Sequence, residues 1–358
     1  MRDEHYETIV IGGGQAGLAV GYHLARQQRD FLILDAGARI GDSWRGRWDS
    51  LRLVTRARYA GLPGMRFPAP ARSHPTKDDT ADYLEAYARR FRLPVRLNTT
   101  VDDVRNDPSG GGYLVQVGAS QLSADFVVHA TGPLCVPRVP EFAPELRADI
   151  LQLTTTEYRN PSQFRDGPVL VVGAGNTGAE IAHDAALAGH PTWLSGRHPG
   201  ELPAWVRGRL YWRLVHNVLT TGTGPGRKMK AKLETGGAPL LRIRSKELAA
   251  AGVERVERTV GVRDGLPLTG DQRALEPATV IWATGFVPEQ LPPHRRGVVM
   301  GLPGRYVLGH PFIHTLSSGF IGGVGRDAEY IAAHIATTLA AKRRRGLARA
   351  SEPVPVAV

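Results

Sequence analysis

The chain has 358 residues, and 45 Lys and Arg against 34 Asp and Glu give it a formal net charge of +11. With 42% hydrophobic and 22% charged residues it is too apolar for disorder, and its length predicts about two domains. No uninterrupted apolar run reaches the roughly 18 residues of a spanning helix, and a single cysteine, Cys135, excludes an intrachain disulfide, an all-cysteine metal cluster and a redox-active dithiol.

Met1-Arg-Asp-Glu-His-Tyr runs straight into an apolar segment, which predicts no secretory leader and a cytoplasmic protein. That segment, Thr8-Ile-Val-Ile-Gly12, reads as a buried parallel strand. It opens into Gly12-Gly-Gly14-Gln-Ala-Gly17, a G-x-G-x-x-G loop, and then a helical pattern with Leu18, Tyr22 and Ala25 on its apolar face. A second strand, Phe31-Leu-Ile-Leu34, ends at Asp35. Gly12 makes the tight turn, Gly14 lets a pyrophosphate approach the backbone, Gly17 lets helix and strand pack closely, and Asp35 accepts from ribose hydroxyls. Strand, loop, helix, strand and acid in that order predict a dinucleotide site.

The pattern recurs. Pro168-Val-Leu-Val-Val172 is a strand, Gly173-Ala-Gly175-Asn-Thr-Gly178 a second phosphate loop, Ala179 to Ala188 its helix and Thr192-Trp-Leu-Ser195 the next strand. Superposing the two loops puts Gly196 where Asp35 stands, with Arg197 directly after it. A missing acid beside an arginine suits a 2′-phosphate, so the second nucleotide is expected to be NADPH. Phe126-Val-Val-His-Ala130-Thr131-Gly132 and Val280-Ile-Trp-Ala283-Thr284-Gly285 are apolar strands that both end in Ala-Thr-Gly, where small residues permit close backbone approach.

This organisation predicts an α/β protein of two Rossmann-like domains, one inserted in the other. Residues 1–150 begin the first domain, 151–285 form the insertion, 286–345 return to the first domain, and 346–358 are a flexible tail. Proline-rich joints (Pro133, Pro137, Pro140; Pro288, Pro292, Pro293) mark the crossings. Gly322-Gly-Val-Gly325-Arg326-Asp327, followed by a helix from Ala328 to Lys342, would close the first domain. Two unlike dinucleotide sites suggest an electron relay from NADPH through a flavin. With Cys135 alone, the electrons must leave to oxygen, a quinone or another protein.

The chain resembles the class B flavoprotein monooxygenases, the group of flavin-containing and Baeyer–Villiger monooxygenases, and most closely their short bacterial members. The likeness rests on both phosphate loops, Gly41-Asp-Ser43-Trp44-Arg45, Arg47-Trp-Asp-Ser50-Leu, both Ala-Thr-Gly ends, Glu157-Tyr-Arg-Asn160, Ser195-Gly-Arg197 and Gly322–Asp327. It implies FAD in the first site and NADPH in the second. It further implies a C4a-(hydro)peroxyflavin that oxygenates a small organic substrate at nitrogen or sulfur, or a ketone. By position, Gly12, Gly14, Gln15, Ala16, Gly17, Asp35, Ala36, Gly41, Ser43, Trp44, Arg45, Val101, Ala130, Thr131, Gly132, Arg326 and Asp327 belong to the FAD site. Gly173, Gly175, Asn176, Thr177, Gly178, Arg197, Ala283, Thr284 and Gly285 belong to the NADPH side. Thr55 lies near a flavin-facing asparagine of the flavin-containing enzymes, and Arg242 and Arg244 are candidates for the Baeyer–Villiger arginine. The family fingerprint F-x-G-x-x-x-H-x-x-x-[YFW], anchored on Tyr158, puts Thr154 at its histidine, and Ala148 and Ile150 at its Phe and Gly.

The expected partners are a small organic substrate and molecular oxygen, with no nucleic acid, no integral membrane association and no metal; a homodimer stays open. Leu202 to Leu219 reads as an amphipathic helix packing on its own domain, with a lid or membrane-surface helix as the second reading, and Thr220 to Gly226 as a flexible loop. Trp44 and Trp48 suit core positions or, with Arg45 and Arg47 between them, a cofactor-facing loop. His310 and His314 suit a turn or core rather than a metal site, since Pro311 argues against a helix there. Three other outcomes stay open for the chemistry: Baeyer–Villiger oxygenation, an NADPH-dependent flavin reductase or oxidase, and a redox sensor without turnover.

Overall fold

The structure is a computed structural model and describes residues 4–132, 136–201, 214–236, 238–287 and 290–350. Cys135 and most of the Leu202–Leu219 segment lie outside the described residues.

The chain opens as β1 (Glu4–Ile11), α1 (Gln15–Arg26) and β2 (Phe31–Leu34). β1 and β2 pair in parallel with Thr8 opposite Phe31, and their all-apolar central residues are buried on both faces, as a parallel strand requires. A short α2 (Asp42–Arg45) and the longer α3 (Lys77–Arg90) precede β3 (Val95–Arg96), β4 (Asp103–Asn106), β5 (Tyr113–Val117) and β6 (Ser120–His129). α3 starts on a capping box in which the Thr76 hydroxyl accepts from Asp79 N–H and the Asp79 carboxylate accepts from Thr76 N–H. β6 lies on the other side of β1, again in parallel. The antiparallel β4–β5 hairpin continues from β6 and covers one face with Tyr113 and Val115.

The second half contains β7 (Leu151–Thr154), β8 (Val169–Val172), α4 (Asn176–Leu187), β9 (Thr192–Ser195), α5 (Gly224–Gly236), α6 (Ser245–Ala250) and β10 (Val253–Val256). A hairpin of β11 (Thr259–Arg263) and β12 (Leu266–Thr269) precedes β13 (Thr279–Trp282). These strands form an all-parallel sheet in the order β10-β9-β8-β13-β7. The chain then returns through β14 (His294–Arg295), β15 (Val298–Val299) and β16 (Arg305–Val307), which extend the first sheet beyond β6, and ends in α7 (Ile321–Ala350). Where the chain passes between the sheets its two crossings run side by side: Pro137 bridges Phe286, and Val287 N–H donates to the Val136 carbonyl at 2.9 Å.

Helices α1, α3 and α7 share one core on the first sheet, built from Leu18, Leu24, Tyr83, Tyr87, Val324 and Ile331. The loop after α2 does not stay with its own sheet. It inserts Trp48 and Leu51 into the core of the second sheet, beside Tyr158, Val171 and Ala179, and Asp49 N–H donates to the Arg159 carbonyl at 2.7 Å.

Three local expectations change. The last helix begins at Ile321 rather than Ala328, because Gly322, Gly323 and Gly325 are not a loop but the close-packed first turns of α7. A Cβ on Gly325 would lie 2.6 Å from Pro63, and one on Gly322 would overlap the Tyr59 carbonyl. The same helix continues through 346–350, so the tail expected from residue 346 is helical there. Finally, Thr220–Gly226 is not a free loop: Thr223 N–H donates to the Thr220 carbonyl at 3.1 Å, and α5 starts at Gly224.

Candidate active site

The two phosphate loops share one backbone geometry. Gly12 and Gly173 adopt φ of +104° and +113°, open only to glycine at low cost. Each lies against the alanine of an Ala-Thr-Gly end: a Cβ on Gly12 would sit 2.6 Å from the Ala130 carbonyl, and one on Gly173 would overlap that of Ala283. Gly17 and Gly178 press on the carbonyls of Gly12 and Gly173, leaving no room for a side chain. Gly14 and Gly175 are the exception, since a Cβ on either would meet nothing within 4 Å. That open space is what a pyrophosphate approaching the backbone would require.

The strand ends differ. The Asp35 carboxylate accepts from Gly13 N–H at 2.5 Å and from Gly37 N–H at 2.8 Å, which holds an acid at the edge of the first loop. In the second loop Gly196 takes φ of +130°, its carbonyl accepts from Arg255 at 2.7 Å, and the exposed Arg197 follows.

A cavity of about 240 Å3 lies between these loops. Gln15, the first residue of α1, Asn176 and Thr177, the first of α4, and Ile321, the first of α7, all line it. None of the three helices carries an acid in its first turn. Each N-terminus thus offers unpaired N–H groups and about half a positive charge to the cavity, an arrangement that favours anionic ligands. Trp44, Trp48, Leu51, Leu53 and Phe320 supply an apolar wall. The Trp48 indole N–H is buried with no hydrogen-bond partner among the described residues, and such a group is satisfied by a water or a ligand acceptor.

Several predicted residues meet here: Gln15, Trp44, Thr55, Asn176 and Thr177 line one cavity, and Trp44 Nε1 donates to Gln15 Oε1 at 3.4 Å. Asn176 also holds the segment ahead of α6, donating to the Pro239 carbonyl at 3.0 Å and accepting from Leu241 N–H at 2.8 Å. Others lie apart. Arg45 points to α3, pairing with Asp82 at 2.9 Å and Glu85 at 3.0 Å; Gly41 packs on Ala81; Val101 packs under the β4–β5 hairpin. Ala36, Ser43 and Thr131 are exposed, and the Thr284 hydroxyl donates to the Arg138 carbonyl. Gly132 and Gly285 take φ of +71° and +87°, and Ala16 is buried in α1. Arg326 clamps the segment before α5, donating to the His216 carbonyl at 2.6 Å and to Asn217 at 2.9 Å. Asp327 is buried; burial raises its carboxyl while a Ser318 hydrogen bond opposes the shift. Arg242 pairs with Glu180 at 3.0 Å. Arg244 caps α6, and neither arginine lines the cavity.

The described end of the Leu202–Leu219 segment packs on the first sheet's return rather than on its own half. Thr220 bridges Thr315, Leu316 N–H donates to the Leu219 carbonyl, and Ser317 bonds His216 Nδ1 at 2.8 Å. Thr154, at the histidine position of the fingerprint, ends β7, and its hydroxyl donates to Glu157 at 2.7 Å. Sequence reasoning missed Glu180, a buried carboxylate on the cavity wall. Its signal was its place four residues after Asn176, on the same face of α4.

Two nucleotide loops, three acid-free helix starts and a shared apolar cavity define a two-dinucleotide oxidoreductase. Residues 9–210 match the family described as pyridine nucleotide-disulphide oxidoreductase, and the chain belongs to that family. It is 36% identical over 340 residues to a CzcO-like oxidoreductase of Geobacillus kaustophilus, covering 91% of this chain and 97% of that one. Its fold is similar to a flavin-containing monooxygenase from Stenotrophomonas maltophilia, with a TM-score of 0.79 and 25% identity over 94% and 99% of the two chains. The fold of a crystal structure titled OTEMO complex with FAD and NADP is also similar, with a TM-score of 0.69 and 16% identity over 95% and 87%. The protein is an oxidoreductase of that family, and its fold is that of the flavin monooxygenases. Among the described residues, no helix is long and apolar enough to cross a membrane.

Proposed function

We propose that the protein is a monooxygenase that takes two electrons from NADPH and inserts one atom of molecular oxygen into a small organic molecule at nitrogen or sulfur. The observation that carries this reading is the convergence of three acid-free helix N-termini from both halves on one apolar cavity. In this reading residues 1–150 and 286–345 form the FAD domain and 151–285 the NADPH domain. Gly12, Gly14 and Gly17 cradle the FAD pyrophosphate, Asp35 takes its ribose, and the start of α7 faces the flavin. Gly173, Gly175 and Gly178 cradle NADPH, with Arg197 on the 2′-phosphate.

When bound, the flavin supplies hydride acceptance and oxygen activation. The chain contributes binding, orientation and exclusion of water. Trp44, Trp48 and Phe320 keep the cavity dry, and the Trp48 N–H awaits an acceptor. Arg242 is held by Glu180 at 3.0 Å and stands off the cavity wall, which favours heteroatom over ketone oxygenation.

The test assays an amine, a thioether and a cyclic ketone side by side, with NADPH consumption and hydrogen peroxide measured together. N- or S-oxide formed in proportion to NADPH is the expected result. Ester or lactone as the only product, lost on Arg242→Ala, reverses the order. Peroxide equal to NADPH with every substrate leaves an oxidase or reductase. Protein that binds no flavin, or is not bleached by NADPH, leaves a sensor.

A further inference from the structure

A titratable pair on α4, one member of it on the cavity wall, has no part in holding either nucleotide in the proposed reading. Asn176, Glu180 and Asp184 follow one another at intervals of four along α4, so they form a single stripe on one face of that helix. Asn176 is at the cavity end. Glu180, whose side chain is 5% exposed, lines the cavity and takes an Arg242 Nε–H at 3.0 Å. Asp184, one turn further and half-buried, sits where the two halves touch: it accepts from Ser50 of the inserted loop and from the Tyr158 hydroxyl at 3.4 Å. The stripe thus leads from a partly solvated carboxyl to a buried one that opens on the reaction space.

We infer that Glu180 delivers a proton to the site, and that Asp184 relays it from solvent along the same face of α4. The inference rests on the proposed oxygenase reading. NADPH, H+, O2 and substrate give NADP+, the oxygenated substrate and water. Hydride carries two electrons from NADPH; the O–O bond breaks; one oxygen bonds to nitrogen or sulfur, and the other leaves as water. That water takes up one proton more than NADPH provides, and Glu180 is the carboxyl on the cavity wall from which it can come. The remaining charged lining residue, Arg52, is exposed and turns its guanidinium to the His74 carbonyl.

The surroundings suit a carboxyl that carries its proton. Burial raises Glu180 and the charge of Asp184 adds to the rise, while Arg242 opposes both. Asp184 is raised by burial too, against Ser50, His183, Tyr158 and Arg242. Asp49 faces Tyr158 from the inserted loop. An acid of this kind works while protonated, so product formation falls as pH rises through the Glu180 titration. Removing the Asp184 charge moves that limb to lower pH, and removing Arg242 moves it to higher pH.

The experiment uses the holoenzyme and a thioether substrate, with sulfoxide, NADPH and peroxide followed across pH, and with FAD content and NADP+ affinity measured for every variant. Glu180→Gln is expected to keep both cofactors, to lose roughly 100-fold in sulfoxide formation with peroxide in its place, and to lose the alkaline limb. Asp184→Asn and Arg242→Gln shift the limb in opposite directions. Glu180→Asp, which retains an acid, restores part of the coupling and serves should Glu180→Gln fold poorly. The infrared carbonyl stretch of a protonated carboxyl, lost in Glu180→Gln, reports the proton without turnover. Sulfoxide formation by Glu180→Gln with the wild-type pH profile overturns the inference and leaves the oxygenase reading standing. A wild type that binds both cofactors yet yields peroxide alone overturns that reading and takes the inference with it.

Discussion

The first and second phosphate loops have the same skeleton and different ends. Both start on a glycine at positive φ against an Ala-Thr-Gly strand, and both leave their middle glycine in open space. They part at the following strand, Asp35 on one side, Gly196 and Arg197 on the other, and again just before Ala-Thr-Gly, where the first strand has His129 and the second Trp282. In the proposed reading the shared geometry serves pyrophosphate binding, and the choice of nucleotide rests on a few side chains at strand ends.

The largest effects come from the glycines. Gly17→Val should prevent folding, because its Cβ would overlap the Gly12 carbonyl. Gly14→Val should fold, since Gly14 has φ of −76° and an unobstructed Cβ direction, and purify without flavin colour. Gly175→Val, with the same freedom, should keep its colour and lose bleaching by NADPH. If Gly14→Val stays yellow, or if the two variants have the same phenotype, the division of labour between the loops is wrong.

His129 sharpens the contrast through pH. Its Nε2 accepts from Arg305 Nε at 3.0 Å, which requires a neutral ring, and burial with the nearby Arg305 charge pushes it down to about 4 from 6.5. The folded state therefore resists protonation that the unfolded chain accepts. The stability this brings is full above pH 6.5 and lost as pH falls towards 4, about 3 kcal/mol over the window. Trp282 donates instead to Gln152 at 3.0 Å and does not titrate. His129→Gln should flatten that part of the urea-stability profile; an unchanged slope would mean His129 is not the acid-sensitive group.

Arg197→Ala should discriminate between the two nicotinamide nucleotides. Losing a charge-assisted phosphate contact costs on the order of 1.5–3 kcal/mol, or roughly 10- to 150-fold in NADPH affinity, with NADH unmoved. An unchanged NADPH/NADH ratio by equilibrium binding would refute the 2′-phosphate assignment.

The parallel strands and both loops were legible because each rests on local chemistry: a β-branched run, glycines at fixed spacing, an acid or its absence. β2 and β9 were read to the residue. What escaped depends on distant partners. The helix was read from Ala328 and not from Ile321 because nothing near these glycines reveals that Tyr59 and Pro63 press on them. The insertion of Trp48 and Leu51 into the other half's core, and the placing of Glu180 on the cavity wall, follow from how the halves dock. Arg45 looked like a cofactor residue from its neighbours Ser43 and Trp44, yet its guanidinium is held by Asp82 and Glu85, some forty residues along the chain.

That last pairing sets the smallest test. The first loop has a buttress: α3 carries Asp82 and Glu85, which hold Arg45 of α2, and Ala81, on which Gly41 packs. α2 in turn presents Trp44 to the cavity. α3 depends for its start on the exposed Thr76–Asp79 capping box, with bonds of 3.0 and 2.9 Å. Thr76→Ala removes one reciprocal bond and should cost about 1 kcal/mol. Because α3 holds α2, which stands beside the first loop, the loss should appear as faster flavin release, with NADPH affinity measured on flavin-loaded protein unaltered. Equal weakening of both nucleotides would mean that the two sites are held as one unit, and that the buttress serves the joint between the halves rather than the first loop.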